Sequence, residues 1–262
     1  MDIHDHNRRA WDRAAAAGER WSAPVSPEVI AAARRGDWAI RLTPDRDVPR
    51  EWFGDLAGAR VLGLASGGGQ QCPVLAAAGA RVVSFDASEG QLARDREVAE
   101  REGLELELVR GDMADLGVFE DGGFDLVWHP VSNVFAPDVL PVWRECQRVL
   151  RPGGRLLAGF MSPAYYLFDF ERAMATGECV AIHPAPYSDL HSLDAAAREK
   201  LVAAGELLEY GHSLEDQIGG QLRAGFRLEA FFDDHWSGGP EALDALMPTS
   251  HATLARKPEA AT

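Results

Sequence analysis

Arg60-Val61-Leu62-Gly63-Leu64-Ala65-Ser66-Gly67-Gly68-Gly69-Gln70-Gln71 is the stretch that decides the fold. Its first part is apolar or small and reads as a buried strand, and three consecutive glycines follow. A glycine loop at the C-terminal end of a strand lets backbone approach a ligand more closely than any side chain allows. Such loops bind nucleotides, so the function turns on which nucleotide this one holds.

Outward from the loop, short β-branched runs alternate with helical patterns, the mark of a parallel sheet with crossover helices. Strands are expected at 61–64, 81–85, 106–110 and 124–128. Helices are expected at 71–78, closed by Gly79, at 89–102, capped by Ser88 and ended by Gly103, and at 139–149. Arg151-Pro152-Gly153-Gly154 reads as a turn into a strand at 155–160. Residues 161–210 then hold Pro163, Pro184, Pro186 and aromatic clusters, with a helix near 194–204, and read as an insertion. A last helix at 214–224 precedes strands at 226–232 and 252–256. Residues 1–55 carry Trp11, Trp21, Trp38 and Trp52 among polar and proline-rich segments. The expected division is an N-terminal lid over 1–55 and a cofactor-binding domain over 56–262.

Composition narrows the function. The 262 residues, 46% hydrophobic and 26% charged, suit one sizeable domain with a real core. No apolar run approaches the roughly 20 residues a bilayer span needs. The start, Met1-Asp2-Ile3-His4-Asp5-His6, is polar and acidic, unlike a secretory signal, so a cytoplasmic location is expected. Cys72, Cys146 and Cys179 are odd in number and form no Cys-x-x-Cys pair, which suits buried free thiols rather than disulfides or zinc. His4-x-His6 lacks an outer shell, and no metal is expected. A net charge of −15 opposes both nucleic acid and an anionic membrane surface. The expected partner is a small-molecule substrate, with the protein a monomer or homodimer.

Two readings of the loop compete. The dinucleotide fingerprint Gly-x-Gly-x-x-Gly finds Gly67 and Gly69 but Cys72 in its third position, which disfavours NAD(P). S-adenosylmethionine (SAM) has no phosphates and needs close backbone approach to an amino acid and a ribose. Asp86, at the end of the second strand, suits a ribose diol under either reading. Further along stand Gly111-Asp112-Met113-Ala114-Asp115-Leu116, Phe124-Asp125-Leu126-Val127-Trp128-His129-Pro130 and Leu150-Arg151-Pro152-Gly153-Gly154-Arg155-Leu156-Leu157. An Asp followed by an apolar residue after the third strand suits an adenine.

This ordered set resembles the class I SAM-dependent methyltransferases, and is most similar to the bacterial type 11 group. The resemblance runs over nearly the whole chain. It takes in Pro24-Val25-Ser26-Pro27-Glu28-Val29-Ile30, His129-Pro130-Val131-Ser132-Asn133 and Ser213-Leu214-Glu215-Asp216-Gln217-Ile218-Gly219-Gly220-Gln221. It implies an α/β fold: a doubly wound, Rossmann-like seven-stranded sheet whose last strand is antiparallel. SAM, leaving as S-adenosylhomocysteine (SAH), would lie across the C-terminal strand ends. The implied cofactor residues are Ala65, Ser66, Gly67, Gly69 and Gln71, then Asp86, Ala87, Ser88 and Gln91, then Asp112, Met113 and His129. Two positions depart from the family pattern. Gly63 stands where an acid is usual, and Ala65 where glycine is usual. Loop carbonyls, Gln71 or His129 would then have to balance the cofactor's ammonium.

His129, just past the fourth strand, is the candidate general base, with a cofactor hydrogen bond or a place in the pocket wall as its plainer role. Substrate contacts are expected from Trp11, Trp21 and Trp38 of the lid, from Asn133, and from Tyr165, Tyr166, His183 and Tyr187 of the insertion. The Asn/Asp-Pro-Pro-aromatic signature of enzymes acting on base or glutamine nitrogens is absent here. The resulting expectation is methyl transfer to an O, N or C atom of a small organic molecule. The alternatives are a SAM-binding cyclase or isomerase that does not methylate, and an NAD(P) oxidoreductase.

Overall fold

Alternation along the strands sets the layers. In β1 (Arg60–Leu64), Val61 faces one side of the sheet and Leu62 and Leu64 the other, so both faces are buried, as a central parallel strand requires. A computed structural model describes residues 1–259 of the chain; residues 260–262, the end of the expected 56–262 segment, lie outside it.

Before β1 come α1 (Ile3–Ala17) and α2 (Pro27–Arg34). After it follow α3 (Gln71–Ala77), β2 (Arg81–Asp86), α4 (Glu89–Glu102), β3 (Leu106–Arg110), β4 (Phe124–His129), α5 (Leu140–Val149) and β5 (Leu150–Met161). The segment that follows holds α6 (Phe170–Thr176), β6 (Tyr187–Ser188), α7 (Asp189–Ser192), α8 (Ala195–Ala204) and β7 (Tyr210–Gly211). A π-turn, Glu215–Gly219, leads into α9 (Gly220–Arg223), β8 (Arg227–Asp234), α10 (Glu241–Leu246) and β9 (Ser250–Arg256).

The seven-stranded sheet runs β3-β2-β1-β4-β5-β9-β8. The first five strands are parallel, and β9 runs antiparallel to both of its neighbours, β5 and β8. The expected Rossmann-like sheet with an antiparallel last strand is therefore present. Strand order reverses between β1 and β4, which opens a crevice at their C-terminal ends.

One face of the sheet is covered by α3 and the N-terminal segment, with Ile30, Leu42, Trp52 and Phe53 packed against Val61, Trp128 and Leu157. The other is covered by α5, whose Val142, Trp143, Cys146 and Val149 form its buried stripe. Residues near Leu42 lie directly on β5: a Cβ at Gly159 would collide with the Leu42 carbonyl. No described helix is long and apolar enough to cross a membrane.

Three local expectations change. The turn at 151–154 is absorbed into β5, which starts at Leu150 opposite Phe124 with a register shift before Leu126. The helix at 214–224 is a π-turn followed by the short α9. The insertion, expected to hold only a helix, also contributes to a small antiparallel sheet, because β7 returns to pair with β6.

Candidate functional site

The glycine loop is held by its own amides. Ala65 takes a left-handed φ of +48°, alone among the described non-glycine residues, while its N–H still donates to the Phe85 carbonyl at 2.7 Å. Next, Gly67 N–H donates to Asp86 Oδ2 (3.1 Å), Gly68 N–H to the Gln91 carbonyl (3.0 Å) and Gly69 N–H to Asp95 Oδ1 (2.7 Å). A Cβ on Gly67 would meet the Gln91 Cβ at 2.8 Å. A phosphate cradle needs amides pointing at the ligand. Here the three glycine amides already serve the protein, so the loop supplies close approach rather than anion binding.

The position of the missing acid is physically filled. A Cβ on Gly63 would collide with Cys72 Sγ and lie 2.8 Å from Ser66 Oγ. The carboxylate that braces the loop comes instead from α4. Asp95 is wholly buried, also accepts the Ser84 hydroxyl at 2.5 Å, and is pushed up to about 7 by that burial.

Asp86 sits half-buried on the cavity wall at the end of β2. Its Oδ2 takes the Gly67 amide and its Oδ1 the Ser88 amide (2.9 Å), and desolvation lifts its pKa to about 6. A carboxylate has about four acceptor sites, so both oxygens retain capacity for a diol. Asp112, half-exposed, accepts the Ala114 amide at 2.9 Å and lies 3.3 Å from His4 Nδ1 of α1. Gln91 donates to Ser22 Oγ at 2.7 Å, while its buried Oε1 has no partner among the described residues and lines the same cavity.

That cavity has a volume of about 2110 Å³. At one end it is lined by Ala65, Ser66, Gly67, Gln71, Asp86, Ala87, Gln91, Asp112 and Met113, and at the other by Tyr165, Tyr166, His183 and Tyr187. Trp11 and Trp21 form part of its wall. Trp11 stands edge-on to Phe135 at 5.3 Å, and Trp21 carries the Arg20 guanidinium over its ring. Helix α1 is fastened over the cavity at both ends. Asp12 accepts from Ser88 Oγ (2.6 Å) and the Gly90 amide (3.0 Å), and Asn7 exchanges two hydrogen bonds with the Leu208 backbone.

Five residues singled out from sequence, Gly69, Ser88, Trp38, Asn133 and His129, do not line the cavity. Gly69 and Ser88 lie beneath it, Gly69 tied to Asp95 and Ser88 capping α4. Trp38 packs edge-on to Phe53, with Arg50 over its face. Asn133 is buried and pairs its amide with Gln217 at 3.0 and 3.3 Å. The segment from Ser213 to Gln221 thus meets His129–Asn133 as a buried amide network, continued by Gln221 to Thr253.

His129 is wholly buried and edge-on to Trp143. Its Nδ1 lies 3.0 Å from the Leu64 carbonyl, which can only accept, so Nδ1 bears the proton and Nε2 is a bare acceptor without a partner among the described residues. Desolvation lowers its pKa to about 4. Gln71, the other candidate for balancing the ammonium, is engaged at both ends, accepting from Trp128 Nε1 and donating to the Arg41 carbonyl.

Sequence reasoning passed over Asp95, Asn7, Asp12, Thr43, Asp189 and Glu209. A signal existed for Asp95, because it shares the apolar face of α4 with Leu92, Val98 and Ala99. An acid in that stripe has a buried task.

Comparison with known proteins shows the family. The "Methyltransferase domain" family profile matches residues 62–158, which run from β1 into β5. Over 252 residues the chain is 48% identical to the uncharacterized methyltransferase YbaJ of Bacillus subtilis (strain 168), covering 96% of this chain and 97% of that one. The chain belongs to the class I SAM-dependent methyltransferases. SAM is its cofactor, which removes the oxidoreductase alternative, and the match does not favour the non-methylating one. The methyltransferase also shares its fold with solved structures. A SAM-dependent methyltransferase from Mesorhizobium loti superposes with a TM-score of 0.61 at 22% identity, covering 79% of this chain and 94% of that one. A putative one from Listeria monocytogenes gives 0.60 at 19%, covering 87% and 100%.

Proposed function

We propose that this methyltransferase acts on a small organic molecule bound under the insertion, with the cofactor held between the glycine loop, Asp86 and Asp112. The observation that carries the reading is the single cavity joining those acids to the aromatic wall of Tyr165, Tyr166 and Tyr187. Its volume of about 2110 Å³ exceeds the ~300–1,000 Å³ of an ordinary ligand pocket, which leaves room for a second molecule.

Residues of the chain suit SAM. Asp86 offers both oxygens to the ribose hydroxyls, Gln91 Oε1 supplies an unengaged buried acceptor, and Asp112 and Met113 bracket the adenine. With His129 buried and Gln71 engaged, the ammonium is left to the carbonyls of Ala65 and Ser66. When bound, SAM would supply an activated methyl group on a sulfonium, suited to in-line transfer to an acceptor lone pair. The protein contributes chiefly alignment and exclusion of water. Residues 1–55 act as the lid, with α1 closing over the cofactor through Asp12 and Asn7.

His129 sets the end of β4 against β1 through its bond to Leu64, and does not exchange protons with the substrate. Calorimetry with SAM, SAH and NAD tests the cofactor site. Tight SAH binding that weakens about ten- to a hundredfold in Asp86→Asn is expected, and NAD binding without SAH binding would refute the reading.

A further inference from the structure

We infer that the substrate end of the cavity is built for an organic cation, an amine carried on an apolar or aromatic body. The inference rests on the proposed reading that cofactor and substrate share this cavity. Its core is a pair of tyrosines backed by carboxylates. Tyr166 and Tyr187 stack with centroids 5.1 Å apart and planes 15° from parallel. The Tyr166 hydroxyl donates to Glu209 Oε2 at 2.7 Å and the Tyr187 hydroxyl to Asp189 Oδ1 at 2.6 Å. Asp189 Oδ2 in turn accepts the Glu209 amide at 2.7 Å. All four residues line the cavity. A phenol that donates to a carboxylate gains electron density in its ring, which strengthens attraction of a cation to the ring face.

Neither carboxylate has a cationic partner among the described ion pairs, and burial raises the Glu209 carboxyl above its ordinary pKa. Such a pair invites a countercharge from a ligand. The cavity wall as a whole carries eleven Asp and Glu residues against four cations. Three of those cations are already engaged: Arg8 with Asp5 and Asp12, Arg20 with Asp45, and Arg41 with Asp47. The fourth, Lys200, is exposed. An anionic substrate would meet repulsion from almost every side.

Independent observations mark the cavity as made for a ligand. Thr43, only 3% exposed, lines it with a hydroxyl that has no partner among the described residues, and the buried Trp236 Nε1–H on the same wall likewise has none among them. Tyr165 joins Tyr166 edge-on at 5.5 Å and approaches Trp236 at 6.2 Å, so the aromatic wall is continuous. Gly211 of β7 keeps the ring of Tyr166 in place, since a Cβ there would lie 2.6 Å from its Cδ2.

The test is calorimetry on the full chain, with and without saturating SAH, using three probes of matched size: phenethylammonium, 2-phenylethanol and phenylacetate. The expected order is the cation at least tenfold tighter than the alcohol, with phenylacetate weakest. Glu209→Gln and Asp189→Asn should each cut the cation's advantage about tenfold while SAH affinity stays within twofold. Tyr166→Phe, which keeps the ring and removes its hydrogen bond, should give a smaller loss and serves as a second readout if an acid variant melts. Equal binding of the three probes, preference for phenylacetate, or no cation binding at millimolar concentration overturns the inference. Failure of SAH to bind the unmodified protein counts against the cofactor reading instead, and the probe order without SAH still decides the cation site.

Discussion

Asp95 of α4 accepts the amide of Gly69 at 2.7 Å from a position wholly shielded from water. Burial places its pKa near 7, against about 3.9 in an unfolded chain. Between those values the folded protein holds the extra proton, so this residue's contribution to stability falls as pH rises from about 4 to about 7. Asp95→Asn keeps an acceptor for Gly69 and removes that slope. It is expected to match the parent near pH 4 and to exceed it in urea midpoint at pH 8. Asp95→Ala leaves the Gly69 amide unpaired and should lose about 1–3 kcal/mol. An Asn variant less stable than the parent at pH 8 would show that the ionised carboxylate is required.

The absence of an acid at position 63 is a packing relationship as much as a chemical one. A Cβ on Gly63 would collide with Cys72 Sγ, and Cys72 is itself fully buried. Gly63→Ala should therefore destabilise by about 1–3 kcal/mol through overpacking. In a Cys72→Ala background the added methyl enters the vacated space, and the penalty should shrink by at least half. A double-mutant cycle on denaturation free energies measures this coupling. Additive penalties would mean that the two sites do not share the space.

Much of the fold was legible in the sequence, because a central parallel sheet leaves a strong trace. The apolar run 61–64, the acids at strand ends and the Ser88 and Gly103 caps all lie where the pattern places them. Asp86 and Asp112 were expected from their places at or just past strand ends, and both line one end of the cavity. What stayed hidden depends on contacts between distant segments. Asn133 and Gln217 are 84 residues apart, and a buried amide pair in two motifs reads from sequence as a substrate contact. Glu209 and Tyr166 meet only because β7 pairs back onto β6, each strand two residues long and so too short for periodicity to reveal.

His129 gives a prediction of opposite sign to Asp95. Its folded pKa near 4 lies below the ordinary 6.5, so the unfolded chain takes up a proton that the folded one refuses. The stability it confers is present above about pH 6.5 and is lost as pH falls towards 4. Over much of this interval it offsets the slope from Asp95, and the parent should show a shallow pH profile there. Asp95→Asn should expose a steeper acid-side loss, read as melting temperature between pH 4.5 and 7. Because His129 stays neutral above pH 5, kcat should show no ionisation assignable to it between pH 5 and 8. An inflection in that range that disappears in His129→Gln, with folding intact, would restore it as a base.

With Asp86 holding the ribose as proposed, cofactor binding takes its pH dependence from this carboxyl. Its ionised form accepts two hydroxyls where the neutral acid accepts fewer, and its pKa in the free protein is near 6. SAH affinity should thus be constant above about pH 7 and fall as pH drops through 6, approaching tenfold per unit below it. Asp86→Asn fixes the side chain in an uncharged form that still accepts the Gly67 amide through one oxygen, so the loop should survive. Binding should then be weaker by about ten- to a hundredfold, in keeping with ~1.5–3 kcal/mol for hydrogen bonds to a charged group, and flat from pH 5 to 8. Calorimetric titration across that range separates the effects. A pH profile for the Asn variant that still bends near 6 would place the responsible group elsewhere on the cavity wall, with Asp112 the first residue to substitute next.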